Sequence, residues 1–250
     1  MPAPADLPAA HSSWPLGTLS ASRTVVIGWF QRQEAGQSSW LHVLGLAAAA
    51  VLAPGGTAVD DRPLDPGRLL PVIVPAGYFP TRPPAAVPFL AGLEVVFGEH
   101  EDGVVRYMPA AFLEAAGLSV RDAERIALEN LCRRAEQRDV SGITMLDGED
   151  NPAFILWGGS HWLSASSLLL PGLHAMARRA LGDTEICAAI PHRDVMLLFG
   201  ARSQPWRDAM QALITEKESG GRKPITRRLI KLLDVGNAPY YEQSSFAYLE

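Results

Sequence analysis

Cysteine is nearly absent. The chain has two in 250 residues, Cys132 and Cys187, and neither has a partner nearby in sequence. That excludes a disulfide framework and a paired-cysteine metal knuckle. Both lie among apolar neighbours, so the pattern predicts buried free thiols with no redox role. Lysine is equally scarce, at 3 against 19 arginines. Alongside abundant alanine and proline, this skew reads as genomic base composition and not as a nucleic-acid-binding surface. Long hydrophobic runs are missing too. The longest, Leu41–Ala53, is broken by His42 and Gly45 and falls short of the ~20 apolar residues needed to cross a bilayer. The opening MPAPADLPAAHSSW has neither the basic region nor the apolar stretch of a secretory signal. A soluble, cytoplasmic protein is the expectation.

What is present is ordinary globular material. Apolar types make up 48% and charged types 20%, with a net charge of −5. A chain of this size removes roughly 70% of its unfolded surface from water. Residues 1–22, rich in Ala, Pro and Ser, read as a loosely held arm. Residues 23–88 read as a small N-terminal unit with a connector. It holds a β-rich run Thr24–Phe30, a helix over 41–52, and a Pro/Gly-dense stretch from 54 to 88. Within that stretch Leu69–Phe79 is extended but interrupted by proline, as in an edge strand or draped loop.

Residues 89–250 read as the main domain. Leu93–Phe97 and Val104–Met108 flank GEHEDG, a hairpin pattern. Ser119, with Asp122 three residues on, opens an amphipathic helix through Gln137. Ile143–Leu146, Ala153–Trp157 and Leu163–Leu170 read as strands, the last ended by Pro171. A helix follows from Pro171 to Leu181, closed by Gly182. Glu185–Ile190 and Asp194–Phe199 form another hairpin, and Pro205 and Pro224 open two last helices. Short turns force antiparallel pairing. The predicted class is α+β: an antiparallel meander sheet with helices packed mainly on one face.

Residues 104–200 carry a family likeness. Ala127-Leu128-Glu129-Asn130-Leu131, Ser167–Leu170, and Pro191 with Arg193-Asp194 ahead of an apolar strand resemble the YtpQ-like family of bacterial proteins, a domain of unknown function. The resemblance implies a cytosolic bacterial protein with no established reaction, and it supplies no catalytic residue.

The site candidates are turns. Pro191-His192-Arg193-Asp194 contains the His-Arg-Asp of a kinase loop. It lacks the downstream Asn and the Gly-rich loop, which excludes a kinase. An Arg-Asp pair in a hairpin turn implies a specific acceptor for the guanidinium, first a structural clamp and second a ligand anchor. Gly158-Gly159-Ser160-His161-Trp162 offers a titratable His161 but no nucleophile elbow. His100 in EHED and the DGEDN segment at 147–151 lack metal-ligand order and read as solvated turns. Arg222, Lys223, Arg227, Arg228 and Lys231 form the basic cluster, where Arg227 and Arg228 are candidate phosphate contacts. The candidate binding residues are therefore His161, His192, Arg193, Asp194, Arg227 and Arg228, with no catalytic residue, metal or cofactor. The first functional reading is a non-enzymatic protein acting by protein–protein contact. Its basis is a proline-rich arm and six tryptophans, a residue type that often anchors interfaces. Homo-oligomers are compatible with it. The alternative is a small-molecule binder or enzyme built around the 158–162 and 191–194 turns.

Overall fold

β1 (Leu69–Pro75) is an apolar run with buried residues on both faces, the pattern of a strand covered on two sides. It pairs antiparallel along its length with β3 (Leu93–Glu101), from Leu69 opposite Glu99 to Pro75 opposite Leu93. The other side of β3 is shared end to end by β2 (Ala86–Pro88) and β4 (Val104–Tyr107). Pro71 and Pro75 are tolerated because β1 is an edge strand. The structure, a computed structural model, describes residues 62–81, 83–101, 104–137, 140–147, 149, 151–159, 163–219, 225–234 and 246–249. The expected strand over 24–30 and helix over 41–52 lie outside these. The domain boundary expected from the sequence lies after residue 88. It falls between β2 and β3, which are hydrogen-bonded neighbours in one sheet. The letters GEHE belong to β3, which continues through Glu101.

The short helix α1 (Ala110–Ala115) leads into α2 (Val120–Glu136). α2 begins as its sequence dictates. The Ser119 hydroxyl accepts from the Asp122 backbone N–H at 3.1 Å, and the Asp122 carboxylate accepts from the Ser119 N–H at 3.1 Å. The Ser119 hydroxyl donating to that carboxylate at 2.6 Å, and then the Ser119 N–H, hold the Asp122 carboxyl below its ordinary range. The buried face of α2 carries Ala123, Ala127 and Leu131, small enough to seat the helix close against β1.

One polar residue breaks that face. Asn130 is buried, and its Nδ2 donates to the carbonyls of Pro66 and Leu69, each at 2.8 Å. Its Oδ1 accepts from Arg133 Nη1 at 3.0 Å. A second buried polar group lies across the sheet. Glu99 accepts from Arg106 through Nε at 3.1 Å and through Nη2, and from the Asp65 N–H at 2.6 Å. Arg106 Nη1 donates onward to the Arg62 carbonyl at 2.8 Å. Together these bonds tie residues 62–69 to both α2 and the β3–β4 hairpin.

The second sheet runs β10-β9-β7-β8-β6-β5, all antiparallel. Its strands are β5 (Val140–Leu146), β6 (Pro152–Gly159), β7 (Ile186–His192), β8 (Val195–Gly200), β9 (Ile230–Leu232) and β10 (Phe246–Tyr248). The α+β class holds, but the strands divide into two sheets instead of one meander. Alternation assigns the two faces of the second sheet. Ile155, Trp157, Ile186, Ala188, Ile190, Met196 and Leu198 join the core shared with the first sheet. α2 and α3 (Leu173–Leu181) pack into that same core. Phe154, Cys187, Leu197 and Phe199 lie on the opposite face. α4 (Gln204–Ser219) packs on β7, and its Trp206 ring lies 5.1 Å from that of Phe154. α3 ends at Gly182, whose φ of 70° accommodates the left-handed cap.

Two sequence expectations are overturned. Leu163–Leu170 is not a strand: Ala165–Leu169 forms a buried 3-10 turn. Ser167 closes the turn locally, its N–H donating to the Ser164 carbonyl at 3.3 Å and its hydroxyl to the Leu163 carbonyl at 2.9 Å. Pro171 ends this turn by holding Leu170 extended, at φ −68° and ψ 130°. The helix expected from Pro224 is also absent. Ile230 and Leu232 are buried at alternate positions of β9, between β7 and β10, so the two-residue period outweighs the apparent helical one.

Replacing Asn130 with Ala strands two carbonyls between helix and sheet. The urea midpoint should fall by the equivalent of about 2 kcal/mol, the cost of unmet buried hydrogen bonds. An unchanged midpoint would show that Asn130 is not a tether.

Candidate functional site

The β7–β8 connection is shaped by an irregularity. The ladder shifts register between Ala189 and His192, and His192 opposite Val195 closes a tight turn on Arg193 and Asp194. Pro191 lies in the shifted stretch, where its missing N–H disrupts no bond. The turn gathers three of the predicted residues. His192 Nδ1 lies 3.0 Å from Asp194 Oδ2, and Arg193 Nε lies 3.5 Å from Asp194 Oδ1. The Arg193 carbonyl accepts from the Ala165 N–H at 2.9 Å, which fixes the turn against the 3-10 segment.

Arg193 also reaches the first sheet. Its guanidinium lies close enough to the Tyr107 hydroxyl at the end of β4 to act on the phenol. Burial raises the Tyr107 phenol above its ordinary range, and the Arg193 charge pulls it back. The Tyr107 ring packs at 4.6 Å on Phe79, and Phe79 meets Tyr78 edge-on at 4.9 Å. Tyr78 is 53% exposed. The aromatic–arginine row thus runs from a half-buried turn to an open tyrosine. The acceptor anticipated for Arg193 exists, but it combines Asp194 with a phenol instead of a bidentate carboxylate.

Three buried polar atoms near this turn have no hydrogen-bond partner: Arg193 Nε and the hydroxyls of Ser164 and Ser166. The two serines flank Ala165, whose N–H holds the Arg193 carbonyl. Nothing local in the sequence singled out Tyr78, Phe79, Tyr107, Ser164 or Ser166. Their grouping arises from contact between elements far apart in the chain.

The remaining candidates lie elsewhere. His161 is outside the described residues. Arg227 and Arg228 are exposed ahead of β9. Arg228 sits 3.9 Å over the Tyr248 ring, and the Tyr248 hydroxyl donates to the Ala91 carbonyl at 2.8 Å. The Arg227 carbonyl accepts from Gln211 Nε2 at 3.2 Å. Arg228 therefore anchors β10 and does not join the turn. Among the described residues no group of three His, Cys, Asp or Glu is arranged to hold a metal ion, and no helix is long and apolar enough to cross a membrane.

At the other end of β7, Glu185 accepts from Lys231 Nζ at 2.6 Å and pairs with Arg202 at 3.4 Å. Those bonds, Lys231 first, hold the Glu185 carboxyl below its ordinary range. Cys187 lies beside this network, opposite Lys231 in the ladder. Burial pushes its thiol up to about 11 despite the neighbouring cations. Both cysteines are free; Cys187 is buried as expected, while Cys132 is only half-buried.

Comparison with protein-family models, with curated proteins and with solved structures returns no match.

Two outcomes follow. Native Cys187 should not react with a thiol reagent at pH 8, because the thiolate forms only near pH 11. A thiol whose folded value is raised leaves stability intact below its unfolded value. Stability should therefore decline as pH climbs from about 9 to about 11, and loss of that decline in Cys187→Ala checks the assignment. Arg193→Ala should lower the urea midpoint by the equivalent of about 1 kcal/mol. A partly exposed pair contributes little, and one phenol bond adds a similar amount. A loss of several kcal/mol would instead mark Arg193 as a buried clamp.

Proposed function

We propose that the chain is a cytosolic bacterial protein of the YtpQ-like kind. It acts by binding another protein, and catalysis is not its role. The observation that supports this reading is the row Tyr78–Phe79–Tyr107–Arg193. Tyrosine and arginine are the types that concentrate binding energy at interfaces. Here the inner members are already ordered by packing and by the Asp194 ion pair, so a partner would not have to immobilise them. Tyr78 at the outer end supplies exposed ring surface. His192 is engaged with Asp194 inside its own turn, an arrangement suited to holding the turn in shape.

A second reading rests on the unpartnered hydroxyls of Ser164 and Ser166 and on Arg193 Nε. Unmet buried donors are costly, and a small polar ligand would relieve them. Under that reading the turn binds a metabolite.

The two readings separate on the full chain bearing the paired substitution Tyr78→Ala and Arg193→Ala. Protein contact requires one protein retained in stoichiometric amount by the native chain. The variant must lose it while keeping its circular dichroism and a cooperative melting transition. Equal retention by both forms overturns the proposal. A small molecule released from the native chain on denaturation, and lost with Arg193→Ala alone, moves the assignment to the second reading.

A further inference from the structure

The edges of the two sheets are not treated alike. β1 carries Pro71 and Pro75, β2 is three residues long and ends in Pro88, and β10 is also three residues long. β4 has four residues and includes Arg106. Each has a device that discourages a further strand: proline, shortness or charge. β5 is different. It is seven residues, VSGITML, without proline and without an ionisable side chain. It pairs with β6 alone. In an antiparallel ladder every second residue turns its N–H and C=O away from the paired neighbour. Those groups of β5 face outward with no strand beyond them among the described residues.

The side chains point the same way. Ile143 is 47% exposed. It stands opposite Leu156, on the same face as Met145 and Phe154, where α4 packs farther in. Gly142, on the other face, has no side chain because the Trp157 ring occupies that space. A Cβ there would come within 2.7 Å of the ring. The strand is therefore seated closely on β6 while Ile143 stays exposed at its rim.

We propose that β5 is a homodimer interface, pairing antiparallel with β5 of a second copy about a two-fold axis at Ile143. An antiparallel strand paired with itself closes on a two-fold axis and leaves no new edge at that end. The register sets Ile143 opposite Ile143, Gly142 opposite Thr144, and Ser141 opposite Met145. The shift in the ladder between Met145 and Leu146 limits the regular pairing to Val140–Met145. Charge favours this occupant. The chain carries −5 overall, yet none of that charge falls on β5, so two copies meet without like charges in register.

The test uses the full chain. Sedimentation equilibrium of the native protein over a concentration series should approach twice the 27.0 kDa chain mass. Ile143→Lys places two cations on the axis and should give a monomer with unchanged circular dichroism. Ile143→Cys should yield a disulfide-linked dimer under mild oxidation, whereas the native chain and Ala111→Cys, on exposed α1, should not. A native monomer at every concentration overturns the proposal. So does a monomer whose β5 amides resist exchange, since another segment of the same chain would then cover the edge. A dimer that survives Ile143→Lys, with no cross-link through Ile143→Cys, places the interface elsewhere and also overturns it.

Discussion

The carbonyls of Pro66 and Leu69 sit where the chain enters the first sheet beneath α2, the first part-buried and the second buried. They would be unmet there but for the amide of Asn130. That constraint sets much else. It sets the height and rotation of α2 over β1, because both bonds must be made at once. It also explains the alanines at 123 and 127, since a larger residue would lift the helix and stretch them. On β3 and β4, Glu99 and Arg106 hold Asp65 and Arg62. The segment before β1 is thus gripped from two directions, and an ion pair that would cost stability if left alone in the interior has its lone pairs filled.

With the first sheet fixed, the second packs its Ile186–Ala188–Ile190 face onto the same core. The 3-10 segment Ala165–Leu169 contacts β1, β7 and β8 and is bonded to the Arg193 carbonyl. The β7–β8 turn is therefore not a free loop. It is bound to the 3-10 segment by backbone, with the Arg193 side chain paired to Asp194 and close to Tyr107. Rigidity of this kind is what a binding residue needs in order to present its donors without first being ordered. The two ends of β7 divide the chemistry: a salt-bridged network with a buried, unreactive thiol at Cys187, and the aromatic–arginine row at His192.

Elements with a short-range signal were legible in the sequence. The α2 cap could be read from Ser119 and Asp122, the Gly182 stop of α3 from its glycine, and three hairpins from turn letters between apolar runs. Their causes lie within a few residues of one another. Leu163–Leu170 and the segment after Pro224 were misread because apolar residues fit two periods there. The choice between them depended on partners more than twenty residues away, Arg193 for the first and Cys187 for the second. The extended run before residue 89 was assigned to a separate unit because prolines break local patterns, although an edge strand accepts them.

The sequence by itself determined the α+β class, the antiparallel pairing of neighbours, the helix caps, and the gathering of His192, Arg193 and Asp194 in one turn. Three residues cannot separate far in space when their strands are joined so tightly. Only the tertiary structure decided that there are two sheets, that Arg193 lies by Tyr107, that Arg228 turns instead to Tyr248, and that β5 is the unguarded edge among the described residues. Each of those depends on which surfaces bury each other, a collective outcome of packing the whole core that no local pattern encodes.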